Sequence, residues 1–599
     1  MKMRVGICCG LLAAMIWAQR GAPPARHASR GTHGAVAAGG EPAVQAGMRM
    51  LYRGGNAVDA GVAATLAAAV TEYSHFGFGG EAPILIRTAA GKVVSIAGVG
   101  TMPKAATLDH FRNRKLKPEE IYELEDNGLP HMMPVNGLQA ALVPGMVDAV
   151  LVALKDYGTL RFSDVAQPAL ELAEHGIMDE RCSREIQATR RVLDLWPTSK
   201  AVFLPNGRVP RPGEPFVQAG LAHTLRLLIA AEKGATRAAA IDAVRDCFYR
   251  GEIARKIGAF SKANGGLLSY EDMAAFHLQP EEALSATYRG YTVYKPGFWS
   301  QGPSMLEALG VIETYDMARL GWNTTEYIHT SVEAMKLAYA DRDTWYGDPR
   351  FVPEPRELLT RGYYQQRRAL ITPKASLEFR PGPLKGKAGD HPFSHTGRPV
   401  NIDDALMARD TTCVTAADKN GVVFAATPSG AWTPAVIAGD TGIPLTQRAQ
   451  TFFLLPNHPN VVAGGKRPRV TLSPTLVTWQ GKPFLAIATP GGDNQEQSQI
   501  QVMLNTIEFG MNAQQAVEAA RFQTRHLVSS FDNHGMSPGD LILDERLMPL
   551  RPELSARGHR VEMRSRFGSG AAPVAIRILP NGVIEAGADP YGYRASSAW

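Results

Sequence analysis

A stretch without periodicity separates two parts of this chain that differ in character. Residues 375–409, which include FRPGPLKGKAGDHPFSHTGRPV, carry charge, Pro and Gly, as an exposed connector does. Upstream, residues 138–340 show mainly helical patterns, such as Phe162 to His175 and Thr325 to Ala340, with Gly- and Pro-bearing loops such as Lys295 to Pro303 between them. Downstream, Cys413 to Ala417, Gly421 to Thr427, Thr475 to Trp479 and Phe484 to Ala488 alternate or run β-branched, and Asn420-Gly421 and Gln480-Gly481 mark hairpin turns. The connector leads straight into Asp410-Thr411-Thr412 and a strand. A nucleophile exposed by cleavage requires this order of elements.

The N-terminal part has its own divisions. Lys2 and Arg4 precede the apolar run Val5 to Ala18 and the exit Gln19-Arg20-Gly21, the pattern of a secretory signal peptide over residues 1–21. The run is shorter than the roughly 20 apolar residues that span a bilayer, so export is expected rather than stable membrane insertion. Residues 22–40 read as a flexible lead-in, with the fold starting near Glu41. Pro42 to Val70 reads as two helices joined by Gly54-Gly55-Asn56, the second buried almost all round, and Pro83–Arg87 with Ala90–Ile96 as two strands. The excess of 63 basic over 57 acidic residues is too small for this length to indicate nucleic acid or a membrane surface. Cys8 and Cys9 leave with the signal segment, and Cys182, Cys247 and Cys413 form neither a disulfide framework nor a zinc pattern. With no HExxH, paired CxxC or phosphate-loop lysine motif, neither a metal nor another cofactor is expected.

If the Asp410-Thr411 bond is cut, Thr411 carries a hydroxyl and a free α-amine in one residue. An α-amine titrates at about 7.7–8.0, close enough to neutrality to serve as general base for that hydroxyl. Nucleophile and base then reside together. The cut needs no protease: the hydroxyl can attack the Asp410 carbonyl, shift the acyl group from nitrogen to oxygen, and leave an ester that water opens. On its residues alone, a Thr-Thr pair at a strand start is far more often a β-former on a sheet surface.

The run DTTCVTAADKNGVVFAATPSG, residues 410–430, resembles the small-subunit start of the γ-glutamyltranspeptidases. There a Thr opens a strand, an Asp-x-x-Gly turn follows, and a second hydroxyl residue lies some 18 positions on; here these are Thr411, Asp418 to Gly421, and Ser429. Similar stretches follow in family order, including RGGNAVDAGVAA (53–64), FGFGGEAPILI (76–86), FSDVAQPALELAEHG (162–176), GKRPRVTLSPTLV (465–477) and TPGGDNQE (489–496). The resemblance implies an α+β fold of the N-terminal-nucleophile hydrolases, a four-layer αββα sandwich with two stacked, mainly antiparallel sheets. It also implies one precursor split into a large subunit ending at residue 410 and a small subunit of residues 411–599.

Of the supporting residues, Gly491 and Gly492 match the family's oxyanion-hole pair, although Pro-Gly-Gly alone is an ordinary turn. Ser429 matches the hydroxyl that assists the nucleophile; its plain reading is a turn residue after Pro428. Cys413 shares the face of Thr411 and reads as a small buried hydrophobe, and His75 as a packing residue. The pattern departs where the family's transpeptidases hold a γ-glutamyl head group with an Arg, an Asp and two Ser. Those positions hold Val99, Thr451, and Val470 with Thr471. Arg448 and Arg469 lie nearby and can each be a carboxylate fork or a structural charge. The family also includes members acting on other amides, such as oxamate, acylated β-lactam nuclei and poly-γ-glutamate. The expectation is a self-processing amide-cleaving enzyme, γ-glutamyltransferase- or glutathione hydrolase-like, that acts on a small-molecule amide through Thr411 and favours transfer to water. The alternative is an exported binding or scaffold protein that keeps the fold without activity.

Overall fold

The structure is a computed structural model that describes residues 24–120, 133–387, 389, 411–531, 534–568 and 570–599. The signal segment 1–21, Asp410 and most of the connector lie outside the described residues. The first elements are strands β1 (Ser29–Gly31) and β2 (Gly34–Ala38), helices α1 (Glu41–Tyr52) and α2 (Ala57–Thr71), and strands β3 (Ile84–Arg87) and β4 (Val93–Ile96). Helices α3 (Met146–Tyr157) and α4 (Phe162–His175) follow, with further helices between residues 180 and 275. Then come β5 (Glu281–Glu282), β6 (Leu284–Tyr288), β7 (Tyr291–Lys295), α5 (Gly302–Ile312) and α6 (Thr325–Trp345). Beyond the connector lie β8 (Val414–Asp418), β9 (Val423–Ala426), β10 (Thr475–Trp479), β11 (Lys482–Ala488), α7 (Gln495–Ile507) and β12 (Phe522–Thr524). The last strands are β13 (Asp540–Asp544), β14 (Arg560–Arg564), β15 (Val574–Ile578), β16 (Ile584–Ala588) and β17 (Ala595–Ala598).

Two seven-stranded sheets carry the fold, ordered β17-β2-β8-β9-β3-β4-β5 and β1-β16-β15-β11-β10-β7-β6, with every pairing antiparallel. Strand alternation assigns each side chain to a layer. Ala35, Ala37, Cys413, Ala417 and Ala425 of the first sheet meet Leu476, Ala486, Ala488, Ile576 and Ala586 of the second. The opposite face of the first sheet, with Val36, Ile84, Ile86 and Phe424, packs on α1 to α4. Val293, Val477, Leu485 and Ile487 of the second sheet pack on α5, α6 and α7. The expected α+β, αββα sandwich is the observed architecture, and a short sheet, β12-β13-β14, is added beside it.

Helix α2 shows how the local sequence serves this packing. Asn56 accepts the N–H groups of Val58 at 2.9 Å and Asp59 at 3.0 Å, and Asp59 returns the bond to the Asn56 N–H at 2.8 Å. This capping box satisfies the first turn of a helix whose residues from Ala57 to Val70 are all buried. Two expectations meet a different structure. Residues 29–38, read as part of a flexible lead-in, form β1 and β2, and β2 is an interior strand between β17 and β8. Its sequence GAVAA has a single strand former, Val36, among small residues, because the space between sheet partner, helix and second sheet leaves little room for larger side chains. The hairpin β6–β7 lies inside the span read as helical, turned by Arg289 and Gly290 at φ 49° and 82°. The three cysteines of the described residues are free thiols, and among those residues no helix is long and apolar enough to cross a membrane.

At Gly61, a Cβ would lie 2.2 Å from the Phe424 ring, so α2 touches the sheet through this missing side chain. Gly61→Ala is expected to destabilise by about 1–3 kcal/mol through overpacking, against a helix-propensity gain of about 1 kcal/mol. A lowered urea midpoint checks this; an unchanged or raised midpoint contradicts it.

Candidate active site

The hairpin β8–β9 sets the register of the site. Its turn is closed by Asp418, whose Oδ1 accepts the N–H groups of Asn420 at 2.8 Å and Val422 at 3.2 Å, with Gly421 in the left-handed region at φ 77°. Val414 lies opposite Ala426, and Ala426 opposite Ile84. Three residues further on, the same registers place Thr411 opposite Ser429, and Ser429 opposite Glu81. The last two exchange backbone bonds of 2.9 and 2.7 Å. Thr411, Ser429 and Glu81 thus form one row across three adjacent segments, their side chains on one face. All three are fully buried.

The row is bonded along its length. Thr411 Oγ1 donates to Ser429 Oγ at 3.4 Å, and Arg448 Nη2 donates to Ser429 Oγ at 2.5 Å. Arg448 Nε also reaches Glu81 Oε2 at 3.2 Å. The guanidinium lies over the rings of Trp432, at 5.2 Å, and Phe531, at 5.7 Å. Burial pushes the Glu81 carboxyl up, and Arg448 with Thr446 counters that shift. From the second sheet, β11 runs into Thr489-Pro490-Gly491-Gly492 and then α7, whose first residue is Gln495. Gln495 Nε2 donates to Thr411 Oγ1 at 3.4 Å, while its Oε1 accepts the Ser473 N–H at 3.2 Å.

The Gly491-Gly492 turn needs two successive left-handed residues, at φ 119° and 52°, and a Cβ on Gly491 would lie 2.6 Å from the Gly570 carbonyl oxygen. Gln301 Nε2 ties it down by donating to the Gly492 carbonyl at 2.9 Å and the Thr471 carbonyl at 2.8 Å. Arg342 in turn holds Gln301 Oε1 at 2.9 Å and Asp493 Oδ1 at 2.5 Å, and Ser530 Oγ donates to the same Asp493 oxygen at 2.7 Å. Burial alone would lower the Arg342 guanidinium, but Asp343 and Asp493 raise it above its usual range. One residue into α7, Glu496 is paired at 2.7 Å with Lys295, both fully buried.

The structure places the expected residues unevenly. Thr411 and Ser429 are brought together, and Gly491 and Gly492 lie at the start of the segment that leads to Gln495. Arg469 differs from a carboxylate fork: its Nη1 is buried against Asp343 Oδ1 at 2.7 Å, beside Arg342. Arg448 serves Glu81 and Ser429 as described. Thr471 is fully buried, and its Oγ1 has no hydrogen-bond partner among the described residues. Val99 and Val470 belong to the helix-side core, while Thr451 Oγ1 donates to the Arg448 carbonyl at 3.0 Å. Cys413 is buried and its thiol is pushed up to about 12 by that burial. The sequence reading missed Gln495, Glu81, and the bond from Thr412 Oγ1 to Glu72 Oε2 at 2.7 Å on the other face of the strand. TPGGDNQE contains Gln495, but nothing local separates it from the glutamines that follow.

The chain matches the family described as Gamma-glutamyltranspeptidase over residues 43–599. It is 32% identical to the glutathione hydrolase proenzyme of Escherichia coli, covering 98% of this chain and 97% of that protein. It is also 32% identical to the glutathione hydrolase-like YwrD proenzyme of Bacillus subtilis, with 92% and 95% covered. The crystal structure of cephalosporin acylase from Bacillus halodurans is similar at a TM-score of 0.81 and 28% identity, over 96% of this chain and 98% of that one.

Arg448→Met would leave the Glu81 carboxylate buried without its cation. The expected loss is about 3–5 kcal/mol in denaturant unfolding, part of it restored by adding Glu81→Gln. Full stability of the single variant would contradict the ion pair.

Proposed function

The chain belongs to the γ-glutamyltranspeptidase family, and from that membership we propose that it is a self-processing, amide-cleaving enzyme with Thr411 as nucleophile. The observation that carries this reading is the buried Thr411 hydroxyl, held in sheet register opposite Ser429 and 3.4 Å from both Ser429 Oγ and Gln495 Nε2. In maturation, Thr411 Oγ1 attacks the carbonyl carbon of Asp410; the C–N bond breaks, the nitrogen takes the proton, and water hydrolyses the resulting ester. The products are the Asp410 carboxylate and the Thr411 α-amine. Large and small subunits, divided at 410/411, remain associated.

In turnover, the freed α-amine takes the hydroxyl proton as Oγ1 attacks the substrate amide, then returns a proton to the departing amine. The acyl group rests on Thr411 as an ester until water, or a second amine, removes it. Ser429, polarised by Arg448, steadies the oxygen through its protonation changes. The backbone N–H groups of Gly491 and Gly492 are assigned to the oxyanion, on a turn fixed in advance by Gln301, Arg342 and Asp493. Gln495, fixed by the Ser473 N–H, adds a neutral donor on the second sheet's side.

The substrate is read as an amide whose acyl part lacks a zwitterionic head group, with hydrolysis as the net reaction. Supporting this, Val99, buried in the core, and Thr451, whose hydroxyl is turned to the Arg448 carbonyl, stand where the charged groups would be needed, and both nearby arginines are engaged with protein carboxylates. Thr471 contributes an unspent hydroxyl to the substrate instead. Export, on the strength of residues 1–21, belongs to the same proposal.

Denaturing electrophoresis with N-terminal sequencing should give two fragments, the smaller beginning at Thr411. Thr411→Ala should remain one uncut, inactive chain; amide hydrolysis by that variant rejects the mechanism, and an intact, inert wild type would favour a binding or scaffold protein. Among anilides, those of simple uncharged acids and oxamate-like amides should be cleaved with higher kcat/KM than the γ-glutamyl anilide. The reverse order would reject the substrate reading while leaving the nucleophile standing.

A further inference from the structure

Away from Thr411, a second group of side chains has the donor chemistry of a metal site. His329 and Glu333 are four residues apart on α6 and share one face of the helix. His559, between the left-handed Gly558 and β14, meets them there. All three are buried, and one ligand atom from each lies within 4.8 Å of the others. His329 Nδ1 and His559 Nε2 face each other at 2.9 Å, so at least one of them presents a lone pair toward the shared point. His329 donates from its other nitrogen, Nε2, to the Thr372 carbonyl at 2.7 Å. A metal-bound imidazole is commonly oriented by such an outer hydrogen bond.

We propose that His329, Glu333 and His559 form a site for a divalent zinc-type ion, structural in role and separate from the Thr411 site. Two imidazoles and one carboxylate suit zinc and its borderline neighbours better than calcium or magnesium, which take oxygen ligands. The rearrangement required is small: the facing nitrogens separate by a few tenths of an ångström, and Glu333 turns toward them. Glu333 now accepts from Lys336 Nζ at 2.6 Å and Arg380 Nη2 at 3.2 Å. Both cations have second acceptors, the carbonyls of Ser376 at 3.1 Å and Leu370 at 3.0 Å, and keep those when the carboxylate moves. Their charge opposes a dication, so the affinity is expected below that of a site without cations on its carboxylate.

The three ligands join α6, upstream of the connector, to the segment before β14, downstream of it. An ion there acts as a staple between the two parts of the chain, and if residue 410 is the end of one subunit, between two subunits. Cobalt(II) and zinc, added to chelator-treated full-length protein, are the probes. Expected are one Co²⁺ per chain with a visible d–d absorption, its displacement by Zn²⁺, and a raised thermal midpoint with either ion. His559→Gln and Glu333→Gln, each checked for native circular dichroism, should lose both the absorption and the shift. No saturable binding to the wild-type chain overturns the proposal whatever the variants do. Binding that persists in both folded variants overturns it as well, by placing the ion on other histidines. Because these readouts do not involve amide cleavage, failure here leaves the Thr411 reading untouched.

Discussion

Two extended sheets can place the Thr411 hydroxyl and its donors in contact only if they approach closely, and small side chains between them make that approach possible. Ala35, Ala37, Ala417 and Ala425 on one sheet and Ala486, Ala488, Ala586 and Ala588 on the other hold few atoms between the layers. Larger residues there would widen the gap, and Gln495, carried by the second sheet, would lose its 3.4 Å reach to Thr411 on the first. The sandwich is therefore a positioning device before it is a source of stability. Bulk hydrophobic burial is supplied instead by the two outer, helix-covered faces, where Phe424, Val477 and Ile487 pack.

Placing polar chemistry in such a dry interior has its own requirement: each buried charge needs a counterpart. Glu81 with Arg448, Lys295 with Glu496, and Arg342 with Asp343 and Asp493 all meet it at depths where an isolated ion would be severely destabilising. These pairs lie beneath the residues that converge on Thr411 rather than among exposed loops. Their contribution is geometric: they restrict where Ser429, the Gly491-Gly492 turn and Gln495 can sit.

What was legible in the sequence follows from the range of the interactions. The helices from Glu41 to Thr71 declare themselves through a local cap and turn, and the strand pair around Asn420-Gly421 through a local hairpin signal. Thr411 and Ser429 could be named together through the family resemblance, whose motif spans the short hairpin between them. β2 was hidden because its alanines answer to neighbours β8 and β17, hundreds of residues away. Gln495 lies 84 positions from Thr411 along the chain, and Arg469 takes its place from Asp343, 126 positions away. No local pattern encodes either contact. A family resemblance reaches such residues only where they fall in a shared motif, and the departures at Val99 and Thr451 needed the packed structure to show what replaced the missing charges.

The strands on either side of the connector are shuffled through both sheets. In the first, β8 and β9 lie between β2 and β3; in the second, β10 and β11 lie between β7 and β15, with β1 at the far edge. If the chain is opened before Thr411, neither piece retains either seven-stranded sheet complete, and each is a template for the other rather than a domain. Separating the pieces would then be the same event as unfolding them. Reassembly would face a search in solution that the uncut chain performs within itself, with the loss of effective concentration that a broken tether brings. Opening that single bond would turn a reversible fold into a one-way product, durable while assembled and without an easy return once taken apart.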